Sequence, residues 1–236
     1  MKKKTTIVIC ALFIILNTLL FFCSITLIKS YEKKIKTIEN QKEQSEKVSD
    51  YKKENIVFLG DSITDWCPFE ALYEDNIPII NSGRAGYRTK DILNELDKLV
   101  YQYNPTKVII LIGTNDIGGK VPDEEIIKNI KQIIVDIKKN RNRAKIYVQS
   151  IYPINNTDTD KINKKNVGDR TNSDIKRINK KIKKICKEEN VNYINVYDEL
   201  TDSKGDLNLQ YTEDGLHISG MGYLKITRKL LPYIEN

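Results

Sequence analysis

The sequence has 236 residues, of which 40% are hydrophobic, so it can hold one well-buried domain and an appendage. Its formal net charge is +7, but residues 1–53 carry 11 lysines against 5 acidic residues, and the remainder carries 28 basic against 27 acidic residues. The part of the chain that can form a core is therefore nearly neutral, which argues against a nucleic-acid groove there.

The four cysteines predict neither a disulfide framework nor a metal site. Cys10 and Cys23 lie in an apolar N-terminal stretch, and Cys67 and Cys186 lie far apart in the chain. No C-x-x-C pair occurs, and a single histidine makes a poor ligand set, so we expect no metal and no cofactor. Cys67 and Cys186 are expected to be small buried side chains, with a bridge between them left open.

Residues 7–28 form an uncharged run of 22 residues that follows three lysines. As a helix, this run spans about 33 Å, enough to cross a bilayer core of about 30 Å. A cleaved signal peptide has a shorter apolar region and a small-residue cleavage site, and this run offers only a poor site. We therefore expect an uncleaved single-pass signal anchor in the cell membrane at residues 7–28, with residues 1–6 in the cytoplasm. Secretion after signal cleavage is the alternative.

Residues 29–53 are charged, lack proline and glycine, and contain few large apolar side chains, which predicts a polar, partly helical stalk. Lysines flank both sides of the apolar run, so the positive-inside rule is weak here, but long downstream domains translocate largely regardless of charge. We expect residues 54–236 to form a globular domain on the extracytoplasmic side. Protease treatment of intact cells tests this expectation, and a fully protected domain contradicts it.

From residue 55 onward, short apolar runs alternate with amphipathic segments. The runs predicted as strands are Ile56–Leu59, Ile77–Ile80, Val108–Ile112, Ile146–Val148 and Val191–Val196. The amphipathic segments predict helices, with Thr89 and Ser219 as N-caps of two of them and Pro122 at the start of a third. This alternation predicts a three-layer α/β/α sandwich with a five-stranded parallel sheet, preceded by one transmembrane helix. Pro78 predicts that the second strand lies near an edge.

Four polar, glycine-bearing turns follow the predicted strands. They are Gly60–Thr64, Asn81–Gly86, Gly113–Asp116 and Asp214–His217. Taken singly, each turn has an ordinary structural explanation as a helix cap or a tight turn. Because ligands bind at the carboxyl ends of strands in open parallel sheets, the four turns are expected to share one rim. Together they predict a functional site.

The last of these turns contains His217, the only histidine in the chain. A neutral imidazole, with an unperturbed pKa of about 6.5, is the commonest general base at neutral pH. Asp214 lies three residues earlier and can orient the ring through Nδ1, which leaves Nε2 free to face a nucleophile. Ser62, where the first strand turns into a helix, is the candidate nucleophile, since its oxygen is exposed near the positive end of that helix.

On these four turns the chain resembles the SGNH (GDSL) hydrolase family, from residue 55 to near the C-terminus. The resemblance implies a serine esterase or acylhydrolase with a flavodoxin-like fold. In it Ser62 is the nucleophile, His217 the general base and then acid, and Asp214 the residue that holds the imidazole. The Gly-x-Ser-x-Gly elbow of α/β-hydrolases is absent around Ser62, which argues against that other serine-hydrolase fold.

The resemblance also implies an oxyanion hole, which holds the negative oxygen of the tetrahedral intermediate. Its donors are the backbone N–H of Ser62, the backbone N–H of Gly86 and the side-chain amide of Asn115. Gly83 is the alternative to Gly86, and the spacing within the family's second block favours Gly86.

Neighbouring residues in the four turns are expected to have supporting roles. Asp61 and Thr64 are expected to hold the nucleophile turn, and Asp116 to cap the turn at Asn115. Three residues around the glycine turn either line the substrate cleft or lie in a solvated loop: Arg84, Tyr87 and Arg88. Specificity is expected to reside in loops at residues 66–76, 155–172 and 201–212.

Three functions compete. The leading one is hydrolysis of a small-molecule or glycan ester, such as an O-acetylated sugar or a short acyl ester, through an acyl-Ser62 intermediate. The second is a membrane-tethered O-acyltransferase that uses the same triad. The third is a catalytically silent binding module, against which the complete set of site residues argues. One membrane segment without a multi-span acyl-donor domain favours hydrolysis. The sequence leaves the substrate and the oligomeric state open.

Overall fold

The computed structural model describes residues 29–39, 55–73 and 77–235. The chain divides into two units, Met1–Lys53 and Glu54–Asn236. In the first unit, residues 29–39 are helical (α1) and exposed. The membrane segment predicted at residues 7–28, residues 1–6 and the stalk beyond residue 39 lie outside the described residues. No helix within the described ranges combines the length and the apolarity that a membrane span needs.

The second unit alternates strands and helices along the chain. The strands are β1 (Ile56–Gly60), β2 (Ile79–Gly83), β3 (Lys107–Leu111), β4 (Lys145–Gln149) and β5 (Asn192–Ile194). The helices are α2 (Ser62–Asp65), α3 (Phe69–Leu72), α4 (Thr89–Asn94), α5 (Leu96–Leu99), α6 (Thr114–Gly118), α7 (Asp123–Asn140), α8 (Lys164–Val167), α9 (Asn172–Glu188), α10 (Tyr197–Leu200) and α11 (Gly220–Ile234). A 3₁₀ turn at Tyr101–Tyr103 precedes β3.

The five strands are parallel and lie in the order β2-β1-β3-β4-β5. β2 therefore occupies an edge, as Pro78 predicts. The predicted three-layer fold with a five-stranded parallel sheet is confirmed. After β1 the chain forms β2 on one side of it and then β3 on its other side, so the direction of strand addition reverses between β1 and β3. The carboxyl ends of these strands are the place where such a sheet binds its ligand.

Successive side chains of the central strand β1 enter different apolar layers, as the twofold repeat of a strand requires. Val57 and Leu59 pack in the layer formed with α4, α5, α7 and α9, while Ile56 and Phe58 pack in the layer formed with α3 and α11. Both layers are buried. This explains why β1 and most of β3 are continuous apolar runs rather than alternations of apolar and polar residues.

Of the two predicted N-caps, Ser219 and Thr89, only one is an N-cap in the structure. Ser219 caps α11 as predicted, because its side chain accepts a hydrogen bond from the N–H of Gly222. The prediction that Thr89 is an N-cap is wrong, since Arg88 occupies that position and Thr89 is the first residue of α4. The hydroxyl of Thr89 instead donates to the carboxylate of Asp116 at 2.6 Å, a partner far away in sequence. Cys67 and Cys186 are both free thiols, so no bridge joins them.

Candidate active site

Ser62 is the first residue of α2 and follows β1 by one residue. The preceding residue, Asp61, is the N-cap, and its Oδ1 accepts a hydrogen bond from the N–H of Ile63 at 3.0 Å. The backbone N–H of Ser62 has no partner among the described residues. Asp61 thus holds the turn as predicted, and the turn leaves the N–H of Ser62 available to a ligand.

The structure brings the three predicted catalytic side chains into one chain of contacts. Oγ of Ser62 lies 3.2 Å from Nε2 of His217, and Nδ1 of His217 lies 2.7 Å from Oδ2 of Asp214. An ionised carboxylate can only accept, so the proton between His217 and Asp214 belongs to Nδ1. Nε2 is then the ring atom with a free lone pair, and it faces the hydroxyl of Ser62.

The carboxylate of Asp214 is held by four hydrogen bonds. Oδ1 accepts from the backbone N–H groups of Leu216 at 2.9 Å and His217 at 2.7 Å, and Oδ2 accepts from the His217 ring and from Nδ2 of Asn166 at 2.6 Å. Burial by itself raises the pKa of Asp214, but these hydrogen bonds outweigh it and lower the pKa below its ordinary value. Asp214 is therefore kept in the ionised form that orients the imidazole.

The two glycines after β2 have different surroundings. The N–H of Gly83 donates to Oδ1 of Asn81 at 2.9 Å, and a Cβ at Gly83 would lie 2.5 Å from Cα of Asp65. Gly83 is therefore a packing residue that lets β2 approach α2. Gly86 has a positive φ of 81°, no atom within 4 Å of an added Cβ, and an N–H without a partner in the described part of the chain. The surroundings favour Gly86 as the donor.

Asn115 lies on the turn after β3, and both ends of its side-chain amide are fixed. Oδ1 accepts from Nη2 of Arg170 at 3.0 Å, and Nδ2 donates to the carbonyl oxygen of Tyr87 at 3.0 Å. Because the guanidinium can only donate, it fixes which end of the amide is oxygen. One N–H of Nδ2 then remains for a ligand, as an oxyanion donor requires.

Asp116 differs from its expected role as a cap of its own turn. Its carboxylate accepts from the backbone N–H of Thr89 at 3.0 Å and from the Thr89 hydroxyl at 2.6 Å. Burial raises the pKa of Asp116, and the hydrogen bonds from Thr89 act against that rise. The contact joins the turn that carries Asn115 to the loop that carries Gly86. Asp116 therefore sets the spacing between Gly86 and Asn115, two of the three predicted oxyanion donors.

Two residues of the predicted specificity loop at residues 155–172 also hold the site, and no sequence pattern marks them: Asn166 in α8 and Arg170 just after it. The buried guanidinium of Arg170 donates to carbonyl oxygens of Thr114 and Val167 at 2.9 Å, and to Oδ1 of Asn115. It also donates to the carbonyl oxygen of Asn166 at 3.1 Å. Arg170 thus links the turn of Asn115 to the residue that holds Asp214. An arginine in a lysine-rich polar loop gives no sequence signal of such burial.

Arg84 and Arg88, the two arginines beside the glycine turn, each lie against a nearby glycine. Arg84 is exposed, and its Nη1 donates to the carbonyl oxygen of Gly83 at 2.6 Å. The guanidinium of Arg88 lies over Gly119, where an added Cβ would be 2.5 Å from Nη2. Tyr87 contributes its carbonyl oxygen to Asn115. These contacts support the turns that carry the site.

A comparison with protein families agrees with this geometry. The model of the GDSL-like lipase/acylhydrolase family matches residues 58–225, which is more than half of the chain and includes every predicted site residue. The chain belongs to this family. The resemblance to SGNH hydrolases is thereby confirmed, and the protein is an enzyme of the serine-hydrolase type that acts on ester bonds.

Relatives of this GDSL-family chain include proteins of different length. An isoamyl acetate-hydrolyzing esterase of Saccharomyces cerevisiae is 28% identical over 205 residues, which covers 77% of this chain and 86% of the esterase. An N-acylneuraminate cytidylyltransferase of Escherichia coli O18:K1:H7 is 28% identical over 204 residues. That match covers 84% of this chain but 43% of the cytidylyltransferase, so the chain spans less than half of that relative's length.

A solved structure also resembles this GDSL-family chain closely. A structure from Streptococcus pneumonia, described as that of a platelet activating factor, is 31% identical with a TM-score of 0.72. The match covers 85% of this chain and 97% of that one.

Proposed function

We propose that this enzyme hydrolyses esters of short acyl groups, acetyl esters first, through an acyl-Ser62 intermediate. The observation that carries the proposal is the continuous contact from Ser62 through His217 to Asp214, at 3.2 Å and 2.7 Å. The family and the relative named for hydrolysis of an acetate ester support the choice of acyl group. The relative named for an N-acylneuraminate makes O-acetylated sugars the first glycan esters to test.

In the first half of the reaction, Nε2 of His217 takes the proton of the Ser62 hydroxyl as Oγ attacks the carbonyl carbon of the ester. The carbonyl oxygen becomes an oxyanion, and the N–H groups of Ser62, Gly86 and Asn115 stabilise it. The imidazolium then gives its proton to the departing alcohol oxygen, and the C–O bond breaks. Ser62 is left acylated, and Asp214 stabilises the charged ring without taking its proton.

In the second half, water replaces the alcohol. His217 takes a proton from the water as the water oxygen attacks the acyl carbon. The same three donors stabilise the second oxyanion. The proton then returns to Oγ of Ser62 as the acyl–oxygen bond breaks. The products are a carboxylic acid and the free enzyme. A sugar hydroxyl in place of water would give acyl transfer. The assay should therefore measure both the free carboxylic acid and the acylated sugar.

The test compares Ser62→Ala and His217→Ala with the wild-type chain on p-nitrophenyl acetate and on an O-acetylated sugar. We expect both variants to lose activity to about the same residual level, because triad members act as a unit. A fluorophosphonate should label the wild-type chain at Ser62 and leave Ser62→Ala unlabelled. A His217→Ala variant with a tenth of the wild-type rate, or a wild-type chain that resists labelling, would refute the proposal.

A further inference from the structure

The indole of Trp66 lies against the imidazole of His217, with the ring centroids 4.3 Å apart and 36° between the ring planes. Trp66 is 55% exposed, whereas the side chain of His217 is 14% exposed. The indole therefore covers part of the general base and leaves much of its own surface in solvent. Aromatic side chains are usually buried. One that stays exposed beside a reactive group is therefore available to contact a ligand.

The backbone holds Trp66 at a fixed position relative to the nucleophile. Its N–H donates to the carbonyl oxygen of Ser62 at 3.0 Å, one turn earlier. The preceding residue, Asp65, is tied to the loop after β2, because its carbonyl oxygen accepts from Nδ2 of Asn81 at 2.9 Å and its carboxylate accepts from the N–H of Ala85 at 3.3 Å. The indole therefore extends from the same turn that carries Ser62.

We infer that Trp66 binds the alcohol portion of the substrate and that the preferred esters have an alcohol that carries a ring. The inference rests on the proposed function, in which Nε2 of His217 gives its proton to the departing alcohol oxygen. That oxygen must come within hydrogen-bond distance of Nε2, so the rest of the alcohol extends past the imidazole. Trp66 presents an exposed surface beside the imidazole, and its flat face fits an aromatic ring or the C–H face of a sugar ring.

The test uses the full-length chain, the variants Trp66→Ala and Trp66→Phe, and two esters with the same acetyl group. Ethyl acetate and benzyl acetate have alcohols of similar acidity, and only the second carries a ring. We expect Trp66→Ala to lower kcat/KM for benzyl acetate by about threefold to tenfold more than it lowers kcat/KM for ethyl acetate. Trp66→Phe keeps a ring and should retain most of the preference.

A third ester separates the two sides of the scissile bond. Benzyl butyrate should show the same loss in Trp66→Ala as benzyl acetate, because the acyl chain extends away from the alcohol. Equal losses on ethyl and benzyl acetate, or a loss that follows the acyl chain, would overturn the inference. A wild-type chain without turnover on any ester would refute the proposed function and this inference with it. Turnover with an unchanged preference in Trp66→Ala would refute this inference alone.

Binding can also be measured with Trp66 in place, because it is the single tryptophan of the chain. In the Ser62→Ala variant, benzyl acetate should change the tryptophan emission in a saturable way, and ethyl acetate at the same concentrations should not. The double variant with Trp66→Phe, which has no tryptophan, is the optical control. Absence of any saturable change with benzyl acetate would contradict the contact between Trp66 and the alcohol.

Discussion

At the scale of single residues, Asn115 shows how neighbours give a side chain a defined role. Its amide has two donors and one acceptor, and either end could point toward the substrate. Arg170 occupies the oxygen and Tyr87 occupies one N–H, both at 3.0 Å, so a single N–H is left over. A fixed donor costs no reorganisation when negative charge develops, and this is why such groups stabilise a transition state well.

We expect Asn115→Ala to lower kcat by about 10²–10³ and to change KM little, because the missing hydrogen bond forms mainly in the transition state. Asn115→Asp keeps the contact with Arg170 but turns a carboxylate oxygen toward the oxyanion, so its loss should be at least as large. Steady-state kinetics on p-nitrophenyl acetate measures both. Asn140→Ala is the matched control, since Asn140 is an exposed residue at the end of α7. A loss below tenfold in Asn115→Ala would contradict the oxyanion role.

At the scale of elements, Arg170 joins the turn at α6 to the short helix α8. Its guanidinium bonds Asn115 on one side and the carbonyl oxygens of Asn166 and Val167 on the other, and Asn166 bonds Asp214. The predicted oxyanion donor and the carboxylate that bonds His217 are thus connected through one buried side chain. Gly118 leaves room for it, because a Cβ there would lie 2.5 Å from Cζ of Arg170.

Replacing Arg170 by glutamine should lower kcat by about tenfold to a hundredfold. This loss is smaller than that expected for removal of an oxyanion donor, because Asn115 stays present and loses only its fixed orientation. Stability should fall too, since buried carbonyl oxygens lose their donor at about 1–3 kcal/mol each. Arg177→Gln on α9 is the matched control. Arg177 is half exposed and pairs with Asp123 and Asp174, so kcat should change by less than about twofold.

A double-mutant cycle separates positioning from general structural damage. In the Asn115→Ala background, Arg170→Gln should have little further effect on kcat, because the donor that it orients is already gone. All variants should be assayed well below their own unfolding temperatures. Additive losses in kcat would show that Arg170 does not act through Asn115.

At the scale of the whole molecule, Asp61 links the site to the pH dependence of folding. Burial raises the pKa of Asp61 to about 7, although the N–H of Ile63 and the charge of Arg170 act to lower it. Its Oδ2 has no hydrogen-bond partner among the residues that the structure describes, which is consistent with a costly charge. The pKa in the unfolded chain is about 3.9. Between these values the folded protein binds more protons than the unfolded chain, so the free energy of unfolding falls as pH rises.

Asp61→Asn should therefore gain stability relative to the wild type between pH 5 and pH 8, on the order of 2–3 kcal/mol, since one pKa unit is about 1.4 kcal/mol. The asparagine oxygen can still accept from Ile63. Urea unfolding at both pH values measures the difference. Asp123→Asn is the control, because the hydrogen bond from Arg177 lowers the pKa of Asp123 to about 2 and keeps it ionised throughout this range. An identical relative stability of Asp61→Asn at both pH values would contradict the raised pKa.

The sequence by itself determined the layers of the fold and the turns that carry the site. Continuous apolar runs such as Val108–Ile112 are buried on both faces only in a parallel sheet between helices, and the polar turn at Asp214–His217 had to follow the last strand. These inferences succeed because they depend on local period and on chain order. The N-cap predicted at Thr89 failed because a partner distant in sequence, Asp116, bonds its hydroxyl.

Only the tertiary structure decided which polar groups are occupied and which remain free for a ligand. The choice between Gly83 and Gly86 depends on a hydrogen bond from Asn81 and on the packing of α2, and neither follows from spacing. Arg170 and Trp66 contact the site through space, across elements or around a turn, so no period in the sequence marks them. Hydrogen-bond occupancy is a property of contacts between distant segments. The sequence named the candidate reacting groups, and the fold determined how each of them is held.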